Sequence, residues 1–274
     1  MTEIDAKLAA VECWTADPCE WAQGEPGSAD YAERLVQTRA AYAPWMADEL
    51  GYGCARGLDV LDVGSGQGID LIGFARAGAH VTGIDLTPRH VELARAHLAS
   101  LGLSGEVVDG DAERMPFEDA SFDFVSSNGV LHHTPNVDIA LREIFRVLRP
   151  GGTARILLYN KRSWHYLLQQ VLWRGLIEGR LRKEGSMEGV LSDGVERSSI
   201  GARPLVRVYT PRMAKRLLDR TGFSPTRTRV RHFRWVDVPA GHLAERIVPL
   251  RSDLVLKILG RVGGWYVIVE GTKP

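Results

Sequence analysis

The chain has 274 residues, 45% of them hydrophobic and 25% charged, with 34 Lys and Arg against 34 Asp and Glu. Those values exclude a disordered, collagen-like or coiled-coil chain and are ample for a buried core with insertions. A formal net charge of zero argues against a protein that coats nucleic acid or an anionic membrane, yet the zero is a cancellation: residues 1–50 hold ten acids and three bases, residues 203–234 one acid and ten bases.

Cys13, Cys19 and Cys54 lack the paired spacing of a zinc site and predict free thiols in a reducing compartment, with no metal. The start, MTEIDAKLAAVECW, carries acids where a signal peptide needs a basic start and an apolar run. No stretch of about 18 apolar residues is free of charge, so the chain is expected to be soluble and cytoplasmic, without a membrane partner.

Trp14, Trp21, Tyr31, Tyr42 and Trp45 crowd the segment before the first strand. From Leu58 onward, short β-branched runs alternate with helix-period segments, the pattern of βαβ units and a parallel sheet. Leu58–Val63 reads as a buried strand and Gln67–Ala77 as a helix stopped by Gly78. A second strand covers 80–86, and Thr87 with Pro88 opens a helix that runs to Gly102. EVVDGD and SFDFVSS read as the third and fourth strands. A helix burying Val137, Leu141, Ile144, Phe145 and Leu148 follows, then Pro150-Gly151-Gly152 and a fifth strand to Tyr159.

There the rhythm changes. Trp164, Leu167, Leu168, Val171, Leu172 and Leu176 predict an amphipathic helix, either a roof over an apolar acceptor or a helix packed on the core, followed by a Gly/Ser-rich insertion from Gly185 to Gly201. The α/β pattern resumes with a helix from Thr210-Pro211 to Gly222, a strand near 226–236, a helix near 250–259 and a closing strand, WYVIVEG. The divisions expected are an N-terminal helical cap segment (1–50), a ligand-binding core (51–160), a cap insertion (161–207) and a C-terminal part of the core (208–274).

Gly64, Gly66 and Gly68 alternate where the first strand turns into a helix, which lets a ligand lie against the backbone and the helix N-terminus. Ile69 stands where a dinucleotide fingerprint needs its last glycine, and no Lys-Ser/Thr completes a phosphate loop. A nucleoside without a pyrophosphate fits. Asp85 ends the second strand and Asp111 follows the third, where carboxylates accept hydrogen bonds from a ribose diol and an adenine amino group.

VLDVGSGQG, GIDLTP, GDAERMPFEDASFDFV, NGVLHHTP and ALREIFRVLRPGG, in that order and spacing, resemble the class I S-adenosylmethionine-dependent methyltransferases, in particular the small-molecule branch of quinone and natural-product biosynthesis. The resemblance is specific over Leu58 to Tyr159. It implies a Rossmann-like α/β fold: a seven-stranded sheet in the order 3-2-1-4-5-7-6, the last strand antiparallel, with helices on both faces and a cap. It further implies that Gly64, Ser65, Gly66 and Gly68 line the methionine part of S-adenosyl-L-methionine, with Asp62 near its amino group. Asp85 and Leu86 would meet the ribose and adenine, Asp111 and Ala112 the adenine edge, and Asn128 the sulfonium; the product is S-adenosyl-L-homocysteine.

Methyl transfer needs alignment, exclusion of water, and a base where the acceptor must lose a proton. His132 and His133 follow the fourth strand, and an imidazole of pKa about 6.5 suits that role, with His133 favoured because it precedes the Thr134-Pro135 turn. Packing at the helix start is the alternative for either. Tyr159, Lys161 and Arg162 leave the fifth strand at the same sheet edge and are candidates to orient the acceptor, as are Tyr31 or Tyr42 to close over the cofactor. A small-molecule acceptor is expected, for O-, N- or C-methylation. The alternatives are an RNA methyltransferase using the basic 203–234 stretch and a non-catalytic cofactor-binding regulator. Arg227, Arg229 and Arg231 alternate along a strand near a sheet edge, which disfavours nucleic acid. The charge asymmetry also predicts that the acidic N-terminal segment packs near the basic C-terminal one across the cofactor cleft.

Overall fold

The computed structural model describes residues 2–18, 22–196, 198–244, 246 and 252–274, so Cys19, Trp21 and the start of the helix predicted near 250 lie outside the described residues. Seven strands form one sheet: β1 Asp59–Val63, β2 His80–Asp85, β3 Glu106–Asp109, β4 Phe122–Asn128, β5 Leu148–Tyr159, β6 Thr226–Arg231 and β7 Tyr266–Thr272. Their order is β3-β2-β1-β4-β5-β7-β6. The first five pair in parallel, and β7 runs antiparallel to both β5 and β6, which is the expected topology.

Helices α1 Glu3–Ala16, α2 Ala29–Tyr42 and α3 Met46–Leu50 precede the sheet; α4 Ile69–Arg76, α5 Pro88–Ser100 and α6 Val137–Val147 connect its parallel strands. A cap helix, His165–Ile177, is followed by α7 Arg180–Glu184 and α8 Met187–Gly194, then by α9 Pro211–Thr221, α10 Gly241–Ala244 and α11 Asp253–Gly263.

The central strands are covered on both faces, which is why they read as unbroken apolar runs. On one face Leu71, Phe74, Val91 and Leu98 pack with Val60, Val81 and Val107. On the other, Leu141, Ile144, Leu217 and Leu218 pack with Leu61, Val125, Ile156 and Val269. Each such side chain contributes about 1.5–3 kcal/mol by leaving water.

Four local features depart from expectation. Thr87 makes no capping bond through its side chain; Asp85 instead accepts from the Thr87 N–H (2.9 Å), which anchors that carboxylate. The Gly/Ser-rich segment contains a real helix, α8, capped by the Ser186 hydroxyl. β6 ends at Arg231, because His232 adopts a positive φ of 75°. The cap helix is wound as a π-helix, so i→i+5 bonding replaces the 3.6-residue period. Four of the six residues of its predicted apolar stripe face outward: Leu167, Leu168, Leu172 and Leu176 are exposed, while Trp164 and Val171 are half-buried and Tyr166, Gln170 and Arg174 are buried.

Candidate active site

A cleft opens at the C-terminal ends of β1, β2 and β4. Its walls are the loop Gly64–Gln67, the segment Asp85–Thr87, Gly110–Ala112 and Asn128–Val130, with Lys7, Ala10 and Trp14 of α1 also lining it. Gly64 and Gly66 take φ of 74° and 52°, a region costly for residues with a Cβ. A Cβ at Gly64 would meet Val130 Cγ2 at 2.2 Å, whereas at Gly66 it would meet nothing within 4 Å. Gly66 lines the cleft, so that open space is space for a ligand.

Asp85 is 8% exposed and held from both sides. Its Oδ2 accepts from the Gly66 N–H (2.8 Å) and its Oδ1 from Thr87; His90 Nδ1 lies 3.3 Å from Oδ1. Each oxygen retains lone-pair capacity for a ribose hydroxyl. Across the cleft, Asp111 Oδ1 accepts from the Glu113 N–H and Oδ2 pairs with Lys7 Nζ (both 2.8 Å). Burial works against the Lys7 ammonium, but its bonds to Asp111, Glu113 and Glu3 outweigh it and hold the pKa above its ordinary value. Lys7 thus pins α1 over the predicted adenine side.

Asp62 and Gly68 sit behind the wall rather than in it. Asp62 is 2% exposed and its Oδ1 has no partner. Burial first, then the neighbouring Asp70, pushes its pKa well above the usual carboxylate range. The acid that does reach the cleft is Asp70, which accepts from Asn128 Nδ2 (2.9 Å), Arg39 Nη1 (3.3 Å) and the Tyr52 hydroxyl. Gly68 caps α4 and packs on Ala94. Ser65, Leu86, Ala112 and Asn128 all line the cleft.

The two histidines separate. His133 lines the cleft, its Nδ1 2.6 Å from the Leu205 carbonyl. A carbonyl only accepts, so Nδ1 carries the hydrogen and Nε2 is left as a proton acceptor. Burial lowers the His133 pKa, against the opposing charge of Glu196, whose Oε1 is 3.7 Å from Nε2. Trp14 meets the same ring edge-on at 4.9 Å. His132 does not line the cleft: it is fully buried against Tyr159 (centroids 3.8 Å) and neither ring nitrogen has a partner. Burial lowers its pKa well below the ordinary value. His132, His133 and Glu196 each place one ligand atom within 4.8 Å of the others.

Of the predicted acceptor residues, Tyr159 touches the site indirectly, donating to Glu196 Oε1 (2.6 Å). Lys161 and Arg162 are exposed and do not line the cleft. Tyr31 stacks on His97 in the core, and Tyr42 contacts the Tyr266 hydroxyl (3.1 Å), so neither closes the cleft. Trp14 does so instead. Sequence reasoning missed Lys7, Arg39, Asp70 and Glu196; the one available signal was Lys7, the single base among 33 mostly acidic or neutral residues before Arg34.

Residues 61–156 match the family described as a methyltransferase domain. The chain is 29% identical over 243 residues to an uncharacterised protein of Mycobacterium tuberculosis, covering 85% of this chain and 86% of that one. It is 38% identical over 94 residues to the sterol 4-C-methyltransferase strm-1 of Caenorhabditis elegans, a match that spans 34% of this chain and only 28% of that protein. The complex of the Haloferax volcanii Trm112 methyltransferase activator with a methyltransferase aligns with a TM-score of 0.60 at 18% identity, covering 96% of this chain and 97% of that one; this likeness shows the fold.

Proposed function

We infer from the match of residues 61–156 to a methyltransferase domain and from the sheet order that the protein is a class I S-adenosylmethionine-dependent methyltransferase and that it methylates a small-molecule acceptor, in secondary metabolism or cofactor biosynthesis. The observation that carries this reading is the cleft itself: an open glycine at position 66, two anchored carboxylates at Asp85 and Asp111, and a histidine acceptor nitrogen in one wall. When bound, S-adenosyl-L-methionine supplies a methyl on a sulfonium; the acceptor's lone pair forms the new bond to carbon, and the C–S electron pair leaves with sulfur. Asp85 would hold the ribose, Asp111 the adenine edge, and the 64–67 backbone the methionine part. Lys7 and Trp14 exclude water by keeping α1 closed. His133 Nε2 takes the acceptor's proton, and Glu196 steadies the imidazolium.

A nucleic-acid substrate is disfavoured by how the basic stretch is engaged. Arg203 pairs with Glu184 and Asp193, Lys215 with Asp219, Arg220 with Asp138, and Arg229 and Arg231 with Glu49. These pairs engage five of the ten bases of residues 203–234 and lie on different elements, which weakens the case for a cationic track.

Calorimetric titration with S-adenosylmethionine and S-adenosylhomocysteine tests the reading directly. No binding at millimolar cofactor would sink it. His133→Asn is expected to keep cofactor affinity and to lower turnover by about 10²–10⁴; binding without transfer to any acceptor would favour a regulatory protein.

A further inference from the structure

The cap helix His165–Ile177 turns its polar side to the protein and its apolar side out. Gln170 is 1% and Arg174 8% exposed, whereas Leu176 and Ile177 are each 60%, Leu172 45% and Trp173 42% exposed. With the exposed Leu167 and Leu168, these side chains recur in pairs at steps of four or five residues, the interval on which i→i+5 bonding brings a helix back to the same face. The π-winding therefore gathers six large apolar side chains on one exposed face. A single exposed leucine is ordinary, but a contiguous apolar face marks a contact surface.

Charge decides what covers it. From Lys161 through the cap helix and α7 to Glu184 the chain carries six bases and two acids, all of them among the described residues. Arg174 and Arg180 face Asp193 (2.7 and 3.5 Å), and Glu184 pairs with Arg203 (2.8 Å). Lys161 and Arg162 before the helix, and Arg182 and Lys183 after it, are exposed and form no ion pair among the described residues, which leaves four bases against the exposed Glu178. The acids of α8 are engaged as well: Asp193 also binds Arg203 (2.9 Å), and Glu188 lies 3.9 Å from Arg207. Cations thus flank the apolar face at both ends.

A second copy across a two-fold axis would set this segment against itself and bring base to base. Protein interfaces are depleted in lysine, and leucine is under-represented among their hot spots. A face of leucines with a tryptophan, flanked by Lys and Arg, has instead the composition of a helix lying in the headgroup boundary of a bilayer, where anionic lipid attracts the bases and tryptophan sits at headgroup level. We propose that the cap helix docks this protein on an anionic lipid bilayer, with its six apolar side chains entering the headgroup boundary and Lys161, Arg162, Arg182 and Lys183 meeting the lipid headgroups. The zero net charge of the whole chain conceals this surface, because these bases are concentrated in one segment. None of the ten residues lines the cofactor cleft, and the inference does not rest on methyl transfer.

Co-sedimentation of the full chain with vesicles of phosphatidylcholine alone, and of an equal mixture of phosphatidylcholine and phosphatidylglycerol, tests the docking. The protein is expected to pellet with the mixed vesicles, to be released by salt, and to bind the neutral ones far less, since each base near an anionic surface is worth about fivefold in partition. Leu172→Gln with Leu176→Gln, and separately Arg182→Gln with Lys183→Gln, should each lower partition into the mixed vesicles by about tenfold or more. The melting temperatures of both variants should stay at the parent value, because all four side chains are exposed. No pelleting with the mixed vesicles, equal pelleting with the neutral ones, or a partition unchanged in either variant overturns the proposal. So does a dimer, seen by light scattering, that Leu172→Gln with Leu176→Gln dissolves, because a second copy would then cover the face.

Discussion

Alanine at Gly66 and at Gly64 separates backbone strain from ligand contact in one loop. Both residues have positive φ, 52° and 74°, and a Cβ there costs about 1–2 kcal/mol. At about 2–4 °C per kcal/mol, that strain alone lowers the melting temperature by roughly 2–8 °C. Gly66→Ala adds nothing further, since no protein atom lies within 4 Å of the new methyl. Gly64→Ala also drives a methyl to 2.2 Å from Val130 Cγ2, so Val130 must move; overpacking of this kind costs about 1–3 kcal/mol more. The affinities should rank differently from the stabilities. Gly66→Ala places its methyl in the cleft and is expected to weaken S-adenosylhomocysteine binding by about tenfold or more, out of proportion to its modest loss of stability. Thermal melts and calorimetric titration on the same preparations decide it. A Gly66→Ala protein that binds the cofactor like the parent would mean that the loop does not face the ligand, and equal melting losses in the two variants would refute the packing argument.

Lys7→Met removes the ammonium shared by Asp111, Glu113 and Glu3. Charge-assisted bonds are worth about 1.5–3 kcal/mol, less here because Lys7 is partly exposed, so faster amide exchange across α1 and a several-fold loss of cofactor affinity are expected; unchanged protection of α1 would remove Lys7 as its fastening. Buried histidines set an acid limit on stability. Burial chiefly lowers the pKa of His132, His133 and His165, and burial with Arg234 and His165 lowers that of His232 to about 4. Below about pH 6.5 the unfolded chain binds more protons than the folded one, so stability is full above that value and falls as pH drops toward 4. His232→Gln should flatten that slope in melts taken between pH 7 and 4, and an unaltered slope would count against it. Chelation is expected to leave turnover unchanged, because His133 Nε2 is assigned to a proton; loss of activity in EDTA, restored by a divalent ion, would reassign His132, His133 and Glu196 as ligands.

How far the sequence discloses this architecture depends on what each segment packs against. β1 to β5 were legible because parallel strands covered on both faces carry continuous apolar runs, and because glycines and acids mark their C-terminal ends. The cap was not, since the π-winding of His165–Ile177 breaks the period from which its buried face was inferred. The residue pairs Trp14 with His133, Glu196 with Tyr159, and Lys7 with Asp111 join positions more than 30 apart in sequence. No local pattern encodes such contacts. Tyr31 or Tyr42 was the expected cover for the cleft, but helix α2 directs them to His97 and Tyr266.

The cancelled charge shows the same dependence on tertiary placement. The acidic N-terminal segment does meet the basic C-terminal one, through Glu49 with Arg229 and Arg231 (3.4 and 2.5 Å). That contact covers β6, an edge strand, whose charged side chains discourage foreign strands; it is not across the cofactor cleft. At the cleft the signs are reversed. The acidic segment contributes its first base, Lys7, to the carboxylates Asp111 and Glu113, while Asp17 at the end of the same helix binds Ser198 of the cap. One helix thus brings its base to the carboxylates of the cleft and fastens its terminal carboxylate to the cap, so the sign of a segment's net charge does not say which of its charges reaches a given partner.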